Sequence, residues 1–434
     1  MQSLSGASSL FFDCQLRERL DIMSGINRKA YGDHSIDAKG KAYGDSDDKV
    51  LLQRIIAGFT YHLNEKVVFS FHLYDARAWG WSLDQDDFVK NRGTDDEFVM
   101  DPYEEYLELF NGYIQVKDLF FNGLSVKIGR QKIWYGDRRI FGPGGWGNAI
   151  GWLWDAVKFS YKKRENFVDV WYGQTREKDP NSFSLLHKHV YQGVGFYSHF
   201  VLSGYGFLEP FFAWKNSLFH DIKPEEDTYY FGARFYNNDF YHLNWDITYV
   251  SKLGTIGDKT VRAYAYVLKL GYRFEKLFGN PNIVIGRVFA SGDSDPSDGV
   301  IKTFTKPFGS TCGIHYGRMD IINWSNLIDN QINLYLTPSK QVNFKFAFHN
   351  FNLDKAEDKW GFYGYRNKDG FNYKHLGNEY DFQFIWKFSK RIKFSVIYAY
   401  FDAGDFVTHN VDNNDAQHIF LQFEYKFSLN LKLK

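Results

Sequence analysis

The sequence predicts an all-β fold, a transmembrane antiparallel up-and-down β-barrel of about eighteen strands in one domain spanning residues 1–434. Three observations predict it. Segments in which apolar and polar residues alternate recur from end to end, which is the pattern of strands with two unlike faces. Their connections are alternately short and long, as in barrels whose tight turns and long loops lie on opposite sides of a membrane. Phe, Tyr and Trp together make up 20% of the chain, which suits half-buried strands and the aromatic girdles of membrane barrels.

Composition narrows the function classes. The formal net charge is +0, so the whole chain carries no electrostatic footprint for nucleic acid. No apolar run is long enough for a transmembrane helix. Only two cysteines are present; Cys14 falls in an expected strand and Cys312 in an expected long loop, and both are expected to be free thiols without metal-type spacing. The start, MQSLSGASSLFF, lacks a basic segment followed by an apolar run, and is expected to be mature chain behind an added Met1 rather than a signal peptide.

The elements follow in order. The first expected strand is Leu10–Ile22, with Phe12, Cys14, Leu16 and Leu20 on one face and Asp13, Gln15, Arg17, Arg19 and Asp21 on the other. After a Gly- and Asp-rich loop come Lys49–Tyr61 and Lys66–Arg77, split by a short turn. A long acidic loop leads to Tyr103–Lys117 and Asn122–Lys132. A second long loop precedes Trp154–Lys163 and Asn166–Thr175, which Arg164-Glu165 separates. The same rhythm places strands at His189–Val201, Tyr205–Lys215, Thr228–Tyr236, Tyr241–Lys252, Val261–Arg273 and Gly279–Ala290. A very long loop, Ser291–Trp324, then precedes Ser325–Thr337 and Gln341–Phe351. Asn378–Phe388, Arg391–Phe401 and Ala416–Phe427 complete the set. Ile419, Leu421, Phe423, Tyr425 and Phe427 share one face of the last strand, and the tail Ser428–Lys434 is expected to lie beyond it. In such a barrel the apolar faces meet lipid, because hydrocarbon cannot solvate charge, and the polar faces line a lumen wide enough for an aqueous channel.

The stretch from Gly123 to Tyr161 carries the most information. Leu124, Val126 and Ile128 alternate with Ser125 and Lys127; later Val157, Phe159 and Tyr161 alternate with Lys158, Ser160 and Lys162. Between them runs Gly129-Arg130-Gln131, Tyr135-Gly136-Asp137, Arg139-Ile140-Phe141-Gly142, Trp146-Gly147-Asn148 and Trp154-Asp155-Ala156-Val157. This series resembles the signature of the alginate export family, bacterial outer-membrane barrels related to the alginate exporter. Trp154 and Ala156 depart from the Phe-Asp-Gly-Val usual at that step. The resemblance implies location in the outer membrane, contact with its lipid, a monomer, and an Arg-lined pore for an anionic polysaccharide or small anion. It also admits periplasmic export partners.

Candidate pore-lining residues follow from parity and from this signature. Arg17, Arg19, Lys158 and Arg234 face the lumen by alternation, where a guanidinium binds carboxylates in a forked geometry; the competing reading is an ion-pair network with Asp13, Asp21 or Glu108. Arg130 falls on the apolar face by strict alternation, whereas the resemblance implies that it faces the lumen, which a bulge at Gly129 would allow. Asp137, Arg138 and Arg139 are expected either to form a salt-bridged constriction or to fold their loop, with Asp155 as a partner for one arginine. His315-Tyr316-Gly317-Arg318-Met319-Asp320 also resembles the family; it is read as a loop entering the pore or capping it.

Other signals are discounted. Gly142-Pro143-Gly144-Gly145 lacks the Lys-Ser/Thr of a phosphate loop. His187 and His189 do not make a metal set, and Ser291-Gly292-Asp293-Ser294-Asp295 does not match calcium-loop spacing. No cofactor, metal or catalytic group is expected, and no reaction. The expected function is a porin-like channel. The alternatives are a small-solute porin without a polysaccharide role, an outer-membrane lipid hydrolase, which would need a Ser/His pair not seen here, and an inert structural barrel.

Overall fold

The computed structural model describes residues 8–91, 97–144, 147–183, 185, 189–217, 224–309 and 312–432. Eighteen long strands form the wall: β1 Ser9–Ser24, β2 Lys49–His62, β3 Val67–Trp79, β4 Glu105–Lys117, β5 Leu124–Gln131, β6 Trp154–Lys163, β7 Asn166–Arg176, β8 His189–Leu202 and β9 Gly206–Asn216, then β10 Glu226–Phe240, β11 Leu243–Ile256, β12 Lys259–Arg273, β13 Asn282–Ala290, β14 Leu327–Leu336, β15 Val342–Asn352, β16 His375–Trp386, β17 Ile392–Ala403 and β18 Ala416–Lys432. Each pairs antiparallel with its neighbours in sequence. β18 pairs with β1 along the whole of the latter, from Ser9↔Lys432 to Ser24↔Gln417, so the sheet closes on itself. Closure leaves no edge with unpaired backbone, the condition for crossing hydrocarbon with strands.

Every expected strand is present, with boundaries shifted by a few residues at most ends. The largest difference is at the end of the chain. The tail after Phe427 was expected to lie beyond the last strand, yet Ser428–Lys432 continues β18, because β1 begins at Ser9 and offers backbone partners that far down. The connections also hold one exception. β11 and β12 are joined on the long-loop side by only Gly257-Asp258.

Alternation sorts the side chains as hydrocarbon demands. Ile285, Ile332, Leu268 and Tyr249 project outward and are exposed, whereas Val250, Ala265, Val267 and Val288 on the opposite faces are buried. The buried core lies inside the barrel, which inverts the arrangement of a soluble protein. Aromatic and aliphatic side chains of the long loops pack there against the inner wall. Tyr135 stacks on Tyr197 at 4.5 Å and 9°. Trp154 meets Trp171 at 4.4 Å and Phe308 at 4.7 Å. Trp360 lies beside Tyr31 at 5.7 Å.

Candidate functional site

Two inserted loops organise the lumen, residues 132–153 between β5 and β6 and residues 302–326 before β14. They join each other through the Phe141–Phe308 bridge and a Gly142 N–H donated to Phe308 O at 3.0 Å. The first loop is clasped to the wall by Asn148. Its Nδ2 donates to Gln53 O at 2.7 Å and Arg77 O at 2.9 Å. Its Oδ1 accepts from Arg17 at 2.9 Å, and its backbone oxygen accepts from Arg54 at 3.1 Å. Arg17 also donates to Gly147 O at 2.6 Å. Trp146 of the signature, Gly145 of the Gly142–Gly145 run and His187 lie outside the described residues.

The other candidate residues fall into distinct settings. Arg19 is 2% exposed, bonds Asp21 at 2.7 Å and lies over the Phe420 ring at 5.4 Å. This matches the bracing ion pair weighed against the pore track. Arg139 pairs with Asp137 and sits over Tyr316 and Trp324. His315 Nε2 lies 2.8 Å from Asp137 O, tying the two loops together. Burial works to raise the Asp137 carboxyl, and Arg139, His315 and Arg234 overcome it, holding the group below the ordinary carboxylate range. Arg234 forks onto Asp246 with both bonds at 2.9 Å, and Lys158 reaches Asp169 at 2.8 Å, beside the Tyr135 hydroxyl on the same carboxylate.

Arg130 and Asp155 are directly paired, at 2.6 and 2.9 Å. The register runs unbroken from Leu124↔Tyr161 to Gln131↔Trp154, so Gly129 does not introduce a bulge there despite its φ of +117°. Both residues therefore stay on the face of the outward-pointing Ile128 and Phe159. Arg130 is still buried, because β4 and β5 stop pairing above Gly112↔Arg130. The guanidinium fills that splay, reaching Leu109 O at 3.3 Å and Glu108 at 3.4 Å.

Arg138, the loop candidate between the Tyr135-Gly136-Asp137 and Arg139-Ile140-Phe141-Gly142 steps, is open to the lumen. It takes a left-handed φ of +72° and lies 4.5 Å from the Trp134 ring, itself 47% exposed. It lines a cavity of about 690 Å³ in the short-turn half of the barrel. That wall carries Arg17, Arg54, Lys132, Arg138, Arg318, Lys393 and Lys426 against Asp13 and Glu424. Toward the long-loop rim a second cavity of about 420 Å³ carries Lys252, Lys259, Lys306, Lys359 and Arg366 against Asp293 and Asp358. The packed loops, with Arg139 and Trp324 at their centre, occupy the lumen between these basins.

Sequence reasoning missed Arg54, and reached Arg318 only as part of the loop read as entering or capping the pore. In β2 the doublets Leu51-Leu52 and Ile55-Ile56 blur the alternation that would have turned Arg54 inward, and Arg318 sits in a loop, where parity has no meaning. The period-two pattern of β17 and β18 places Lys393 and Lys426 on the polar faces. Asp239, His242 and Glu275 lie exposed at the short turns, with their ligand atoms within 4.8 Å of one another.

The alginate export family model matches residues 25–420. No curated protein matches the chain. Solved outer-membrane barrels are similar in fold at low identity. OccAB3 of Acinetobacter baumannii is 11% identical with a TM-score of 0.62, covering 97% of this chain and 99% of that one. The outer membrane protein OprD of Pseudomonas aeruginosa is 11% identical with a TM-score of 0.60, covering 98% and 96%. OccK2 of the same organism, solved in complex with glucuronate, is 11% identical with a TM-score of 0.59, covering 97% and 98%.

Proposed function

The chain belongs to the alginate export family of the bacterial outer membrane, and from that premise we propose that it is a porin-like channel for anionic solutes and not an enzyme. The observation that carries this reading is the charge of the lower cavity, seven cationic side chains against two carboxylates in a molecule whose net charge is +0. Closely spaced cations give an anion several weak sites, attractive enough for entry and shallow enough for release. The rim basin repeats the same sign, so both ends of the route favour anions. The candidates Arg17, Arg138, Arg139, Asp137, Lys158 and Arg234 divide the work in this proposal. Arg138 and the cavity lysines meet the solute, and the others hold the loops and wall that shape its path. Arg130 and Asp155 act at the outward splay instead.

A small anion fits this reading better than a polymer, because the loop core stands between the two basins. The complex of the similar barrel OccK2 with glucuronate makes that sugar acid a sensible test solute. The channel acts as a monomer in this proposal, since each chain closes its own sheet.

The test is single-channel recording of the refolded protein with the reversal potential measured under a KCl gradient. Anion selectivity is expected, and neutralising Lys132, Lys393 and Lys426 together should lower it without raising conductance. Cation-selective current would sink the proposal. So would anion selectivity indifferent to those three lysines.

A further inference from the structure

On the lipid-facing wall, far from the lumen, β13 presents Arg287. Its register partners are Leu268 on β12 and Asn330 on β14, and paired residues share a face. Leu268 is 47% exposed; Ile285 and Ile332, on the same face, are 57% and 51% exposed. These are hydrocarbon-facing side chains, so the arginine stands among them. Among the described residues it has neither a carboxylate nor a hydrogen-bond partner. The register explains why. The outward faces of β11, β12, β13, β14 and β15 contain no Asp or Glu at all. Elsewhere on the outer wall, Arg130 is compensated by Asp155 and Arg77 by Asp75.

The position along the strand sets the depth. Arg287 lies three residues below Ala290, the long-loop end of β13, or roughly 10 Å along the strand. Immediately above it Phe289 stacks with Tyr266 at 4.9 Å and with Tyr264 at 5.3 Å. Such outward aromatics mark the membrane interface. The cation therefore sits just inside the boundary of the outer leaflet, on the side of the long loops. Below and beside it the wall forms a shallow apolar groove of about 630 Å³, bounded by Trp245, Ile247, Leu270 and Phe348.

An unpaired guanidinium at the edge of hydrocarbon is costly unless an anion meets it, and the protein supplies none there. We infer that Arg287 and Asn330, above this groove, form a binding site for a phosphate-bearing lipid of the outer leaflet, the bisphosphorylated lipid A of lipopolysaccharide. The guanidinium takes a phosphate in its forked geometry, the Asn330 amide donates beside it, and an acyl chain lies along the groove. The acid-free face removes any competing carboxylate. This site is independent of the transport reading.

The experiment titrates fluorescent bisphosphorylated lipid A into the refolded barrel in neutral-detergent micelles, with wild type, R287Q and R287K compared. R287Q should weaken apparent affinity roughly tenfold or more, the scale of one lost charge-assisted hydrogen bond. R287K should retain most of it. Conductance should be unchanged, since the residue faces away from the lumen. If R287Q does not insert, wild type titrated with dephosphorylated lipid A makes the same comparison from the ligand side and should bind as weakly. Equal affinity for wild type and R287Q, or for the two lipid A forms, would overturn the inference. Displacement by phosphatidylcholine as effective as by lipid A would reduce the groove to ordinary lipid solvation and overturn it too. Equal displacement by phosphatidylglycerol would overturn the assignment to lipid A.

Discussion

Arg176 ends β7 with its guanidinium forked onto Glu105 at 3.0 Å, the two side chains 0% and 1% exposed, while Tyr74 Oη, Ile150 O and Glu177 O also accept from it. Removing one member of such a buried pair strands the other charge. Arg176→Met should therefore cost about 3–5 kcal/mol, and the double variant R176M/E105L should recover most of that loss; urea midpoints in micelles measure both. Asp101, in the loop before β4, gives a pH-dependent counterpart. Burial lifts its carboxyl to about 6. Its folded value lies above the unfolded one, so the folded state favours the protonated form. The stability this contributes is full below about pH 4 and lost as pH rises through about 6, a difference of roughly 3 kcal/mol. Asp101 Oδ1 accepts the Tyr103 and Glu104 amides, a role an asparagine oxygen can fill. D101N should thus keep the turn and flatten the wild-type loss between pH 4 and 7, read as the difference between the two urea midpoints. Residue-scale roles were the least legible in the sequence. Arg130 shows why: alternation assigned its face, and only the splay of β4 from β5 could bury it there.

At the scale of elements, the strands were legible because each needs one apolar and one polar face, and that demand is written locally at every second residue. The loops were not, since their places depend on contacts far along the chain, as when Asn148 bonds the backbones of β2 and β3. If that clasp holds the first loop in the lumen, freeing it should open the pore. R17A/R54A should raise single-channel conductance, and replacing residues 133–152 by a short Gly/Ser linker should raise it further, by severalfold. Unchanged conductance in the deletion would mean that the loop does not limit the current. The last strand offers a second test. Deleting residues 428–434 removes the partners of Ser9–Asp13 and leaves unpaired backbone at the closing seam. Slower insertion into vesicles and a lower urea midpoint are expected, followed by the shift between folded and unfolded bands on gels.

For the whole molecule, the division of charge matters more than its sum. A net charge of +0 coexists with two cationic basins, because the balancing carboxylates are spent in ion pairs such as Asp137, Asp155 and Glu105 or exposed in outer loops. Anion selectivity should accordingly fall as salt rises from 0.1 to 1 M, where screening shortens from about 10 to 3 Å; the reversal potential at a fixed gradient ratio measures it. By itself the sequence determined the barrel, its strand number, its alternating connections, its membrane and its family, because period-two hydrophobicity and a local signature are properties of neighbouring residues. Only the tertiary structure decided that the lumen holds a packed loop core, that Arg19 and Arg139 are paired while Arg54 and Arg318 line the cavity, and that Arg287 meets lipid with no carboxylate beside it among the described residues. Those outcomes depend on which carboxylate or backbone oxygen the closed barrel brings within 3 Å of each cation, and residues far apart in the chain supply most of them.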